Sequence, residues 1–455
     1  MESENIIKMQ EGTDLTNGNL FNNMLKFSIP LLITNLLSSM YNIVDGIWIG
    51  RLIGDTGVAT TTNCWPIILV ASSILTAVTV TTSVMVSQRY SSKEKQEIKN
   101  VITSLYIISI ILGVITSGIL ILSLDFWLDI FNTPTEILQM SREYLTIYLI
   151  GYVFQFFEMT IIESIRATGN SKTPLILLTI VMITNIVLDP IFILLGFGIG
   201  GAAIATAVSM ILGLIIDLIY VKKKSKLLCF NAKHINFNKA FISEASKIGF
   251  PMMIEELSTI FTIMVEVYVS NSLGVVGGSS YGIVSKLQQV IWIIGGTVCT
   301  LLTVVVGQFI GKRDFDNLSK VLINGLKLIF IPTTLIALFI IFGSTWFCTI
   351  FTNNSEVIQT AISYLSIVGI AFTLVPLCQL LYGFILGTGK TKYTFAYCAL
   401  ASVAEIVIVL YIYNQYNRPL EAMGLGILAW YIILIVLCTI FYFSKKWKPS
   451  EKVNC

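Results

Sequence analysis

Two aspartates stand inside otherwise apolar stretches of this chain: Asp45 in "PLLITNLLSSMYNIVDGIWIG" and Asp189 in "ITNIVLDPIF". An ionised carboxylate at the centre of a membrane helix costs about 2.5 to 3.5 kcal/mol, so an idle acid there is disfavoured. The neighbours of Asp189 suit the holding of a cation. Asn185 lies one helical turn before it and shares its face. Pro190 has no amide hydrogen and frees the carbonyl of Ile186, a further oxygen close by. Thr206, early in the next apolar stretch "GGAAIATAVS", can bring a hydroxyl to the same level. Desolvation and a like-charged neighbour both disfavour the anion, which suits a proton carrier, while a small oxygen cage suits sodium. In the competing reading, both acids are neutral, hydrogen-bonded spacers that fix helix packing.

The elements that must position these groups are membrane helices. Of 455 residues, 55% are hydrophobic and only 12% charged, about half the charge of a soluble chain. Apolar runs of about 20 residues, enough to cross a bilayer core as a helix, recur along the chain. Twelve are predicted, at 26–50, 57–87, 101–124, 144–165, 174–197, 200–221, 247–273, 278–307, 321–343, 361–386, 394–413 and 423–444. If the N-terminus is cytoplasmic, only Arg51, Arg142 and Arg418 fall on outer segments. The inner segments then take Lys8, Lys93, Arg166, Lys222, Lys223, Lys224, Lys312, Arg313, Lys390, Lys445, Lys452 and their basic neighbours, so both termini are expected in the cytoplasm. Asp189, fifteen residues past Pro174, then sits roughly 22 Å from the cytoplasmic end. Asp45, six residues before Arg51, shares the outer half with it. Residues 1–25 are polar and mixed in charge, without an apolar core or cleavage site, so no cleaved signal peptide is expected. The eight cysteines are scattered without CxxC spacing and read as ordinary apolar-facing thiols.

The chain repeats itself. "FSIP" ending at Pro30 matches "IGFP" ending at Pro251. Gln88 in "VSQRYSSK" matches Gln308 in "VGQFIGKR", and Gly169 in "ATGNSKTP" matches Gly389 in "GTGKTKYT". Six duplicated helices keep both copies in one orientation, as in transporters whose halves are related by an axis along the membrane normal. The expected fold is an all-α membrane protein of twelve transmembrane helices in two six-helix lobes related by pseudo-two-fold symmetry. Its parts are a tail at 1–25, lobes at 26–221 and 247–444, a basic linker at 222–246 and a second tail at 445–455.

Three features resemble the multidrug and toxic compound extrusion (MATE) transporters: Pro30 followed by Asp45 in the first span, the "RATGNSKTP" turn after the fourth, and "NIVLDPIF" in the fifth. With the repeat, the resemblance covers essentially the whole chain. The Asn185…Asp189-Pro190 form is similar to the branch named after a DNA-damage-inducible protein and to multidrug exporters of Firmicutes. The resemblance implies secondary active export of organic, often cationic, compounds in exchange for protons or sodium, by alternating access in the plasma membrane. It also implies that Asp45, Asn185, Asp189 and Thr206 surround the coupling-ion site, with H+ or Na+ as the ion and no other cofactor. A monomer acting on small organic molecules in the lipid bilayer is expected, with no nucleic-acid partner.

Other polar residues are read more modestly. Tyr41, one turn before Asp45, is a candidate for the substrate cavity, with aromatic core packing as the equal alternative. So are Glu255 and Glu256 near the start of span seven, although a solvated helix end would also account for the two glutamates. Glu163 is expected to pair with Arg166, and Asp217 to be an interfacial charge ahead of the Lys222 cluster. The only histidine, His234, lies in the basic segment, and Pro376 is read as permitting a bend in span ten. The repeat places Glu266 opposite Asp45 and Glu405 opposite Asn185, but Val409 opposite Asp189. Lys286, at a similar predicted depth to Glu266, is expected to neutralise it, with Glu405 as the competing partner. An enzyme is not expected, since the chain has no H-E-x-x-H or G-x-S-x-G motif and no second histidine. A lipid-linked oligosaccharide flippase of the wider superfamily is the alternative transporter reading.

Overall fold

Every element described by the computed structural model is helical, which is how a chain buries apolar surface in lipid while satisfying its own backbone. The structure describes residues 12–92, 95–131, 133–235 and 237–448; Lys8, Lys93 and Lys452 lie outside them. The first half runs α1 (Leu20–Leu52), α2 (Asp55–Tyr90), α3 (Lys95–Leu122), α4 (Leu124–Ile130), α5 (Thr135–Ala167), α6 (Lys172–Phe192) and α7 (Gly198–Lys224). The second repeats the order: α8 (Lys239–Asn271), α9 (Gly274–Gly311), α10 (Leu318–Phe342), α11 (Ser344–Phe351), α12 (Ser355–Phe372), α13 (Val375–Gly387), α14 (Thr391–Tyr416) and α15 (Pro419–Phe443). Eleven stretches among the described residues are long and apolar enough to cross a membrane, one of them joining α6 to α7. This accounts for the twelve predicted spans. The short helices α4 and α11, one in each half, follow spans three and nine.

Two departures from the expected spans have local causes. Span ten is broken between Phe372 and Val375, where Pro376 opens α13; proline lacks the amide hydrogen and disfavours helical geometry in the residue before it. Between α6 and α7 the chain turns through five π-helical residues, Ile193–Phe197. Gly196 and Gly198 take φ of 94° and 53° there, which glycine adopts without a steric penalty. The matching turns of the repeat share this reason: Gly169 and Gly389 have φ of 84° and 75°. They donate at 2.8 Å to the carbonyls of Arg166 and Leu386, closing α5 and α13 alike.

The chain divides into two compact units. Among the described residues, the first holds those up to Leu15 and Ile29–Gly249, the second Thr16–Ser28 and those from Phe250 on. In the first, Ile67, Leu145, Leu149, Phe156 and Ala203 pack one core and Ile98, Ile102, Tyr106, Ile161 and Leu228 another. The basic segment 222–246 is built into this unit. Leu227, Leu228 and Phe241 are buried in its core, Arg89 grips Glu244 with two hydrogen bonds of 3.0 and 2.6 Å, and His234 Nδ1 meets Asn100 at 3.0 Å. The second unit is packed by Leu301, Leu302, Val305, Phe372 and Phe384. The seven cysteines among the described residues are all free.

Small residues set how closely helices approach. A Cβ on Gly151 of α5 would stand 2.7 Å from both Cα and Cβ of Ala207 on α7, so this glycine fixes the height at which α7 presents the adjacent Thr206. Gly151→Val is expected to overpack that contact, at about 1–3 kcal/mol. It should lower the melting temperature and monodisperse yield of the detergent-solubilised protein, with Gly151→Ala affected less. Thermal size-exclusion chromatography measures both.

Candidate functional site

Three helices of the first unit bring the polar groups together. α6 contributes Asn185 and Asp189, one turn apart and both buried, Asp189 with no exposed surface. α7 follows after the π-turn, and Gly201 lets it approach the end of α6: a Cβ there would lie 2.8 Å from the Phe192 carbonyl carbon. The Thr206 hydroxyl donates to the Ala202 carbonyl at 3.0 Å. The Asn185 amide bridges the two helices. Oriented to satisfy both neighbours, its nitrogen donates to Asp189 Oδ2 at 2.9 Å and its oxygen faces Thr206 Oγ1 at 3.1 Å. Asp189 Oδ1 finds no partner among the described residues.

α1 closes the cluster. Asp45 is half-buried, and its carboxyl group lies within hydrogen-bonding reach of Asp189. Two carboxyl groups at this approach can share one proton. Tyr41, one turn before Asp45, brings its hydroxyl within reach of Thr206. The structure thus places Asp45, Asn185, Asp189 and Thr206 around one point, with Tyr41 beside them.

Sequence reasoning missed the wall of this site. Tyr144, Tyr148 and Tyr152 of α5 stack in a ladder with ring centroids 5.8 Å apart at each step, and Tyr144 and Tyr148 adjoin Asp45. Their i, i+4 spacing was the available signal, since it sets three rings on one helix face. The ladder supplies flat apolar surface against the acids.

In the second unit the expectation for Lys286 is corrected. Its side chain is exposed, and no ion pair among the described residues joins it to Glu266. Glu266 is buried, accepts a hydrogen bond from the Tyr281 hydroxyl at 2.8 Å, and lies within hydrogen-bonding reach of Glu405 on α14. The physical reason is helix rotation: α8 and α14 turn Glu266 and Glu405 into the packed interior of the unit, whereas α9 leaves Lys286 on an exposed face. Tyr364 adjoins Glu266 as its counterpart Tyr144 adjoins Asp45.

The remaining expectations divide. Glu163 pairs with Arg166 at 3.2 Å as expected. Glu255 is buried and accepts a hydrogen bond from the Tyr382 hydroxyl, so it is not a solvated helix end; Glu256 beside it is exposed. Asp217, expected as an interfacial charge, is 1% exposed. It lies on the face of α7 turned into the unit, and its nearness in sequence to Lys222 does not bring it to the surface. Among the described residues no group of three or more His, Cys, Asp or Glu could hold a metal.

Comparison with known proteins agrees with this architecture. The family model MatE matches residues 30–191 and again 251–411, one match in each half. The chain is 24% identical over 442 residues to the probable multidrug resistance protein YoeA of Bacillus subtilis, covering 95% of each chain. It is 25% identical over 419 residues to the multidrug export protein MepA of Staphylococcus haemolyticus, covering 91% of this chain and 90% of that one. A solved MOP superfamily transporter from Pyrococcus furiosus superposes with a TM-score of 0.90 at 21% identity, over 96% of this chain and 98% of that one. An outward-facing multidrug resistance MATE family transporter superposes with a TM-score of 0.89 at 21% identity, with the same coverage.

Two substitutions check the geometry of the two units. Asn185→Ala removes the donor to buried Asp189, and an orphaned buried acceptor costs about 1–3 kcal/mol; a melting temperature several degrees below wild type is expected. Lys286→Met should leave yield and melting temperature within experimental error, as an exposed side chain without an ion pair contributes within about 0.5 kcal/mol. A large loss of yield with Lys286→Met would restore the Glu266–Lys286 pair.

Proposed function

Because this chain belongs to the MatE family of multidrug transporters, we propose that it exports organic cations across the plasma membrane in exchange for protons entering through the Asp45–Asp189 pair. The observation that carries the reading is the convergence of two carboxyl groups from α1 and α6 at one buried point, with Asn185 donating to one of them. Such a pair changes charge by binding or releasing one proton. The resulting change in repulsion between α1 and α6 is a differential interaction that can bias a conformational equilibrium. In alternating access, protonation from outside favours substrate release, and proton loss to the inside resets the carrier. The membrane potential assists by about 2.3 kcal/mol per 100 mV for each inward-moving charge.

The donor set is also composed of oxygens, and sodium would use Asp45, Asp189, the Asn185 carbonyl and Thr206. A proton is favoured because the two carboxyl groups lie within hydrogen-bonding reach of one another, a contact that one shared proton satisfies. Tyr148, the half-buried ring of the ladder beside the acids, offers aromatic surface that attracts an organic cation through the ring quadrupole. The reading places both termini in the cytoplasm and treats the monomer as the working unit.

Everted vesicles containing the protein test this directly. A pH gradient is expected to drive ethidium accumulation, a sodium gradient without a pH gradient is not, and Asp45→Asn and Asp189→Asn should each abolish accumulation at normal expression. Full activity in both variants would remove the coupling role, and a response to sodium alone would make sodium the ion.

A further inference from the structure

A second pair of acids lies deeper in the first unit. Glu158 on α5 and Asp217 on α7 are each 1% exposed and close enough to feel one another's charge. Gly213 makes the approach possible: a Cβ there would stand 2.5 Å from Glu158 Oε1 and 2.6 Å from Val181 Cγ2 of α6. Asp217 is one turn after Gly213 and projects over the same face. Glu158 Oε1 and both carboxyl oxygens of Asp217 have no hydrogen-bond partner among the described residues. Among the described residues no ion pair reaches either acid.

Among the described residues the surrounding elements supply no compensating ion pair. On α5 the neighbouring Glu163 is already matched by Arg166. On α2, Arg89 is held by Glu244, and Cys64 lies against the Ser141 carbonyl. α6 has no titratable residue between Lys172 and Asp189. From α3 the titratable group near Asp217 is the Tyr106 phenol, neutral at ordinary pH. Two buried carboxyl groups with free lone pairs and no cationic side chain must be neutralised, each by a proton or the pair by a bound cation.

Their position suggests its origin. Glu158 is ten residues beyond Tyr148 on α5, and Asp217 eleven beyond Thr206 on α7, so the pair lies about 15 Å along the helices from the Asp45–Asp189 site. It stands between that site and the basic end formed by Arg166 and Lys222. Val181, which packs beside Gly213 and Glu158, is one turn from Asn185. In the second unit the repeat puts Cys378 in the place of Glu158, and Cys438 lies beside it.

We propose that Glu158 and Asp217 form a second cation station in the first unit, which takes up a proton, or a sodium ion by the same two-carboxylate chemistry, and passes it between the Asp45–Asp189 site and the basic end. Uptake needs only a carboxylate oxygen to accept the ion, with no other bond made or broken. The relay rests on the proposed antiport; the binding of a cation does not.

The full-length protein in detergent tests the binding. Proton release on an alkaline step, followed with an indicator dye in weak buffer, is expected to be smaller in Glu158→Gln/Asp217→Asn than in wild type, while Asp45→Asn/Asp189→Asn retains that component. Sodium that displaces the same protons, where choline does not, identifies sodium as an occupant. Release from the Glu158→Gln/Asp217→Asn protein equal to wild type overturns the station. If that protein does not fold, Asp217→Glu keeps the acid but moves its oxygens, and the release should shift in pH; an unshifted release overturns the station. In everted vesicles the Glu158→Gln/Asp217→Asn protein should bind ethidium normally and accumulate it about tenfold more slowly or worse, the scale of losing a proton-transfer group. Wild-type rates there overturn the relay. Wild-type protein that releases the protons but responds to no ion gradient refutes the antiport and leaves the station standing.

Discussion

Asp189 has no exposed surface and takes its hydrogen bond from an amide one turn earlier on its own helix. A carboxyl group in that setting has lost its hydration, and only a donor, a proton or a cation can replace it. Much of the first unit's architecture answers this need. Asn185 supplies the donor, Thr206 holds the other end of that amide, and Asp45 comes from α1 to within hydrogen-bonding reach. The π-turn with Gly196 and Gly198 and the glycine approach at Gly201 bring α7 back close enough for Thr206 to take part. Bulkier residues at these positions would separate the helices and strand the acid.

The same requirement explains how the duplicated second unit differs. Its equivalent helices carry Glu266 and Glu405 at the places of Asp45 and Asn185, and Tyr281 donates to the first of them. The acid of α6 has become Val409, so the donor comes from a tyrosine on α9 instead of an amide on the same helix. Deeper in the units the chemistry diverges further. The first presents two acids at Glu158 and Asp217, and the second presents Cys378 and Cys438, with its own buried acid, Glu255, held by Tyr382. A duplicated scaffold preserves backbone positions, whereas each polar group must find its own partner within its unit.

Within the first unit, acids therefore occur at two depths joined by one set of helices, α5, α6 and α7. The upper pair is bordered by aromatic rings and the lower by apolar packing against Val181, with Asn185 one turn away. Apolar packing separates the two levels, so a low-dielectric interior lies between them.

The sequence by itself determined the membrane class, the twelve spans, the duplication and the presence of acids at Asp45 and Asp189. Each follows from one-dimensional properties: run length, spacing, offset, and the cost of charge in an apolar segment. It also indicated that Asn185 shares a face with Asp189, because one helical turn is a local relation. Tertiary structure alone decided which groups meet across helices. Depth along two helices was not enough to join Glu266 to Lys286, because rotation about each helix axis turns one side chain inward and the other outward. Burial of Asp217 and Glu255 likewise depended on which face packs against a neighbour, although proximity to lysines or to a helix end suggested exposure. The tyrosine ladder was written in i, i+4 spacing, but only the fold showed that its face is the wall beside Asp45.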